Sequence, residues 1–172
     1  GISADFEHTY FTDSDSYRAY SQAIFLELWP KGLFYRGERP TFWCPNDETP
    51  LAEADIEYED RPARLVWMRF PLDGGGHISI ATTRPELLAA CRAVIVHPND
   101  DRFAAVHTKR ATVPLYGRDV PIVAHAMAKP EFGSGAAMIC SYGDSVDLML
   151  FRELRLDPVK AVDERGRMTE AA

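Results

Sequence analysis

Apolar and polar positions change their period several times along the chain, and each change marks an element. In residues 13–31, DSDSYRAYSQAIFLELWPK, Tyr17, Tyr20, Ile24, Leu26 and Leu28 recur at roughly helical spacing. Asp13 or Ser14 can cap this segment, and Pro30 and Gly32 end it, which predicts a helix. Residues 33–36, LFYR, predict a short strand, and 37–52, with three prolines, an irregular knob. Strands are expected at Ile56–Tyr58 and at Arg64–Phe70, where Leu65, Trp67 and Arg69 alternate with Val66, Met68 and Phe70. Asp73-Gly74-Gly75-Gly76 is a hairpin loop, and His77–Thr82 the returning strand.

A short apolar helix begins at Pro85. Ala93–Val96 predicts a buried strand that ends in His97-Pro98-Asn99-Asp100-Asp101, a turn and helix cap. Ala111–Pro114 and Val120–Ala124 are short strands on either side of Tyr116-Gly117-Arg118-Asp119. Gly133-Ser134-Gly135 leads into a small-residue strand, Ala136–Cys140. A helix over 144–155 is capped by Asp144 or Ser145, and Val159–Val162 is a last strand before the turn at 163–166. Many short strands with few helices predict an α+β fold, a β-barrel-like core of short strands with peripheral helices. One domain over 1–172 is expected, with a leading helix and connecting knob in 1–50 and the barrel core in 51–172.

Composition narrows the class. The chain has 172 residues, 46% of them hydrophobic, enough for a real core. No run of about 18 apolar residues occurs, so no membrane span is expected. The opening GISADFEHTYF lacks the regions of a signal peptide. Three dispersed cysteines, Cys44, Cys91 and Cys140, argue against a disulfide scaffold and fit a reducing cytoplasm. A formal charge of −7 makes general nucleic-acid affinity a poor expectation, although one end of a nucleic acid could sit in a local basic site. A monomer is the default.

Five stretches carry candidate chemistry. WCPND around Cys44 resembles half of a zinc knuckle, but position 47 is Asp and no second cysteine pair follows. A structural zinc takes about four ligands, so no metal is expected. Cys140 as a nucleophile would want a histidine base, and none stands in a recognisable signature; a core thiol is the simpler account. Gly133-Ser134-Gly135 is a weak phosphate loop but a plausible place for backbone to come close to something. In GDSVD, Asp144 caps the helix by accepting from the amide of Asp147. Asp147, one turn in, is free to face the strand end, where a carboxylate can grip an ammonium group. Thr82, Thr83 and Arg84 stand where a strand meets a helix. Pro85 forces Arg84 to be extended, so two hydroxyls and a guanidinium sit on a rigid corner suited to a polar substrate.

Taken in order, ATTRPELL, VHPNDDRF, VPLYG, VPIV, PEFGSGAAMICSYGD and DERGRMTEAA resemble the editing domain of class I aminoacyl-tRNA synthetases. That domain is the large connective insertion of the valyl, isoleucyl and leucyl enzymes. YRGERPTFWCP resembles the peptide by which such enzymes pass from the catalytic domain into the insertion. FGSGAAMICSYGDSVD is most similar to the valyl segment in its archaeal form. The resemblance implies an editing domain of a larger synthetase, with the synthesis site elsewhere and no cofactor of its own. Its partners would be the rest of the parent synthetase and the acceptor end of tRNA(Val) carrying a misattached amino acid.

The implied activity is hydrolysis of the ester of threonyl-tRNA(Val). The alternatives are an isoleucyl-type domain clearing valyl-tRNA(Ile) and a tRNA-end binding module without hydrolysis. By the resemblance, Asp147 matches the aspartate that holds the α-ammonium, and Asp144 the other of the pair. Thr82 and Arg84 match the ATxRPE corner, beside Thr83, and Phe132 the residue near the terminal nucleotides, beside Gly133 and Gly135. Two positions depart: many bacterial valyl enzymes carry lysine at the position of Met138 and threonine at that of Cys140.

Overall fold

A computed structural model describes residues 3–37 and 39–170. The chain divides into two compact units, one through Pro40 and one from Thr41. The boundary therefore falls at 40/41, inside the segment expected as a knob, most of which belongs with the larger unit.

The first unit is built on α1, Asp15–Leu28. Ser14 caps it by accepting from the amide of Tyr17 at 3.3 Å, so of the two expected caps the hydroxyl serves. A single 3₁₀ turn, Trp29–Lys31, follows and ends at Gly32 with φ 69°. Tyr17, Tyr20, Ile24 and Leu26 are exposed. Residues 33–36 form no strand: Phe34 instead packs its ring on Phe25, with centroids 4.7 Å apart.

In the second unit, β1 (Phe42–Cys44) and β2 (Thr49–Leu51) pair as a short antiparallel hairpin. Turn chemistry is present as expected, but the knob is regular where these strands meet. Cys44 Sγ donates to Asp47 Oδ2 at 3.3 Å. Ile56–Tyr58 is not a strand; a 3₁₀ turn, Glu53–Asp55, precedes it, and the acids of EYED offer no apolar face to pair on.

The barrel begins with β3 (Val66–Pro71) and β4 (His77–Thr82), antiparallel from Val66 opposite Thr82 to Pro71 opposite His77. Gly74, Gly75 and Gly76 all have positive φ, which lets the loop between them close tightly. A 3₁₀ helix, Pro85–Ala90, leads into β5 (Cys91–Val96). The strands β6 (Arg110–Thr112), β7 (Asp119–Ala124) and β8 (Ala136–Cys140) complete a sheet in the order β6-β7-β5-β8. Among the described strands only the β5–β7 pair is parallel. The bridge between Leu72 and Ala111, with Asp73 N donating to Arg110 O at 3.1 Å, joins the hairpin to β6. At the other side β4 lies against β8, so six strands curl round one core, as the barrel-like expectation requires.

The strand β5 is buried on both faces, and its residues part by alternation. Val94 and Val96 join Phe70, Ile78, Ile80 and Val113 inside the barrel. Ala93 and Ile95 pack outward on Ile139, Leu150 and Phe151, and thereby seat α2 (Ser145–Glu153). Val159–Val162 is not a strand. Val159 N donates to Ser141 Oγ at 2.7 Å, and Val162 forms only one bridge, to Met168. Among the described residues, no helix is long and apolar enough to cross a membrane.

Ile80 is fully buried two residues before Thr82. Ile80→Ala is expected to cost about 3 kcal/mol of unfolding free energy, read as a lower urea midpoint. A change below about 0.5 kcal/mol would show that β4 is not anchored by the barrel interior.

Candidate functional site

The corner after β4 is held by its own polar groups. Arg84 has φ −128° and ψ 70°, outside the helical region that Pro85 disfavours but short of the extended conformation expected for it. Its amide donates to Thr82 Oγ1 at 3.0 Å. Its guanidinium donates from Nη1 to the carbonyl of Gly143 at 2.8 Å and from Nε to Glu86 Oε1 at 3.3 Å. Thr83 is exposed beside it.

The partner of this corner is the turn from β8 into α2. Ser141 is tied on two sides: its amide donates to Ala90 O at 3.0 Å, and its hydroxyl oxygen accepts from Val159 N. Asp144 is the N-cap, and its Oδ1 accepts from Asp147 N at 2.8 Å. Asp144, rather than Ser145, thus fills the capping role. Gly143 matters for the space it leaves, since its φ is not positive. A Cβ there would collide with the Asp147 carboxylate and stand 3.0 Å from Leu87 Cδ1.

Asp147 lies in that space, only 7% exposed. Burial first, and the nearby Asp144 carboxylate second, push its pKa up to about 7. The backbone at Cys140 and the Arg84 guanidinium pull it the other way. The carboxylate is therefore packed close against Gly143, the residue that Arg84 grips. Thr82, Arg84, Asp144 and Asp147 are brought together around Gly143.

The remaining predicted residues separate into two groups. Cys140 is buried opposite Cys91 across the β5–β8 pair. A hydrogen bond with the Cys91 thiol, together with burial, holds the Cys140 thiol far above its ordinary pKa, so no thiolate nucleophile forms there. Met138, half-buried on the same strand, packs against the barrel core. Phe132 is exposed. Gly133 runs so close to β4 that a Cβ would stand 2.8 Å from Ala81 Cβ, next to Thr82. Gly135 runs equally close to Arg102. The close approach permitted by these glycines is thus to the protein's own chain.

No sequence pattern pointed to Arg102. It donates from Nε to Asp100 Oδ1 at 2.8 Å and from Nη2 to Pro130 O at 2.8 Å, fastening the 130–135 turn. Asp100 is nearly buried, and the Arg102 guanidinium holds its carboxyl below the usual range. Two open spaces flank the region. One of about 370 Å³ is lined by Trp67, His77, Arg102, Phe103 and Gly133, among others; one of about 550 Å³ by Trp43, Arg84 and Tyr142, among others. The contributions of Gly143, Tyr142 and Arg102 rest on tertiary proximity, for which spacing offers no signal beyond the glycines and the cap.

Residues 1–154 match the family of class I tRNA synthetases (I, L, M and V). A valine–tRNA ligase of Nanoarchaeum equitans is 53% identical over 169 residues, 98% of this chain and 22% of that protein. One from Methanothermobacter thermautotrophicus is 45% identical over 173 residues, 100% of this chain and 20% of that protein. The chain thus spans about a fifth of the length of the curated relatives it matches. A crystal structure of a ternary complex of a leucyl enzyme, LeuRS, from Agrobacterium radiobacter K84 with tRNA and LeuAMS is similar over 85% of this chain and 28% of its own. The TM-score there is 0.47 and the identity 19%.

The raised pKa of Asp147 has a sign that stability can report. Its ionisation is harder in the folded chain than in the unfolded one, so folding loses stability as pH rises from about 4 to about 7. Asp147→Asn is therefore expected to melt higher than the parent at pH 8, with the advantage gone below about pH 4. A variant that melts lower at pH 8 would mean that the carboxylate is held by compensating partners.

Proposed function

The chain belongs to the class I tRNA synthetases (I, L, M and V), and from that premise we propose that its barrel unit is an editing domain of valyl type, hydrolysing the ester of threonyl-tRNA(Val). The observation that carries the proposal is the nearly enclosed carboxylate of Asp147 beside the Thr82–Arg84 corner. The relatives named above, valine–tRNA ligases, support the valyl assignment.

The physical need is clear. Threonine differs from valine by a hydroxyl in place of a methyl, and an apolar pocket rejects that change by only about 10²-fold. A second, polar site must remove the error. Asp147 receives the α-ammonium of the misattached residue. Its desolvation costs free energy in the empty site and is offset when the cation binds, which favours a charged substrate over a neutral one. Asp144 spends Oδ1 on its cap and has Oδ2 left for the threonine hydroxyl. The Thr82 hydroxyl oxygen accepts from the Arg84 amide and keeps its proton to donate to the ester end.

Water attacks the ester carbonyl, the bond from that carbon to the ribose oxygen breaks, and the ribose oxygen takes the proton. An aminoacyl ester is already activated by its own ammonium group. Placement at near-attack distance contributes up to several kcal/mol, so the residues that grip the two ends do the main work.

Deacylation of threonyl-, valyl- and cysteinyl-tRNA tests the proposal. Threonyl-tRNA(Val) is expected to be hydrolysed preferentially, with kcat/KM falling as pH drops through about 7, where Asp147 takes up its proton. Asp147→Asn should lower kcat/KM by at least about 100-fold, in line with loss of a buried charge contact. Equal hydrolysis by variant and parent would remove the ammonium anchor. Preference for valyl-tRNA(Ile) would move the domain to the isoleucyl type.

Arg84→Ala separates binding from scaffold. It should raise KM about tenfold with kcat largely kept, through loss of one charge-assisted contact to the nucleotide end. An arginine that only braces the Gly143 turn would instead lower Tm and leave kcat/KM per folded molecule intact.

A further inference from the structure

The cleft of about 550 Å³ beside Arg84 is not needed by the chemistry above. It opens between the β1–β2 hairpin, the 159–166 segment and the β8–α2 turn. Two aromatic rings line it. Trp43 is 40% exposed, and its indole is fixed by donating from Nε1 to Glu164 O at 2.7 Å. Tyr142 is 46% exposed, and its ring meets buried Phe151 with centroids 6.0 Å apart.

Tyr142 has φ 53°, a region that a bulky side chain rarely adopts. Strain of this kind persists only where the surroundings impose it. Here Ser141 is tied to Ala90 and Val159, and the Gly143 carbonyl is held by Arg84. The pinned backbone stands the tyrosine ring at the wall of the cleft. Glycine or asparagine would fit the same backbone without strain, but neither has a ring to present.

Charge in the cleft is mostly consumed. Lys160 Nζ lies 2.5 Å from Glu164 Oε1. Asp163 accepts from the amides of Arg165 and Arg167 and from the Arg167 guanidinium. Paired charges suit a phosphate poorly, whereas fixed aromatic faces suit a base, because stacking needs only a π-face. Arg84 lines this cleft and also holds Gly143, against which the Asp147 carboxylate is packed.

We propose that the Trp43–Tyr142 cleft is a subsite for a nucleobase of the single-stranded RNA end that carries the ester. The subsite rests on the ester-hydrolase reading for the identity of its RNA, and on its own geometry for the stacking.

Binding of a 5′-labelled RNA trinucleotide, CCA, to the full 172-residue chain, followed by fluorescence anisotropy, tests it. Tyr142→Asn, which tolerates the left-handed backbone, and Trp43→Leu should each weaken binding by about tenfold, and Tyr142→Phe should match the parent. Tyr142→Asn should melt no lower than the parent, so its loss of binding reports the ring and not the fold. Equal binding by the parent and both ring-less variants, or no binding by the parent, overturns the subsite. Threonyl-tRNA(Val) deacylation, measured alongside, keeps the two ideas apart. Ring-dependent binding without hydrolysis overturns the hydrolase and leaves the subsite, whereas hydrolysis with ring-independent binding overturns the subsite alone.

Discussion

The guanidinium of Arg84 and the carbonyl of Gly143 meet at 2.8 Å, and this contact ties the two segments of the site to each other. It joins the end of β4 to the start of α2, elements 59 residues apart in sequence. A charge-assisted bond of this kind is stronger and more directional than a neutral one. With it in place, Thr82 and Arg84 face the helix start that carries both aspartates. Gly143 serves twice: its carbonyl accepts the arginine, and its missing side chain leaves room for the Asp147 carboxylate.

The barrel supplies what this contact needs on either side. Ile78, Ile80, Val94 and Val96 fill the interior and fix the line of β4. Ala93, Ile95 and Ile139 on the opposite face of the sheet seat Leu150 and Phe151, and so fix the direction of α2. A close-packed interior of this sort resists small shifts, so the site inherits the precision of the core. Asp147 is the exception placed within it. A carboxylate moved largely out of water is disfavoured as an anion, which is why its pKa rises to about 7.

Much of the local structure was legible in the chain. The hairpin β3–β4 follows from alternation ending in three glycines, and the buried β5 from a continuous apolar run. The cap of α2 follows from Asp144 three residues before Asp147, and the non-helical backbone at Arg84 from the proline after it. Short apolar stretches misled where no partner strand lay alongside. Residues 33–36 have suitable composition, but a strand exists only as half of a pair. Val159 met a serine hydroxyl instead of a ladder. The hairpin at 42–51 was hidden by its prolines.

By itself the sequence determined the conformations that depend on a residue and its near neighbours: the proline-enforced corner, the glycine loop, the helix cap and the alternation of the barrel strands. Each is a short-range matter of sterics or of one local hydrogen bond. Only the tertiary structure decided that Arg84 would grip Gly143, that Gly133 and Gly135 would lie against Ala81 and Arg102, and that Cys140 would face Cys91. It also decided that Asp147 would be nearly enclosed, since the carboxylate's surroundings come from β8, the Leu87 turn and the β4 corner together. Contacts between distant segments depend on how the sheet closes and the helix seats, and no local pattern of residue types encodes that distance.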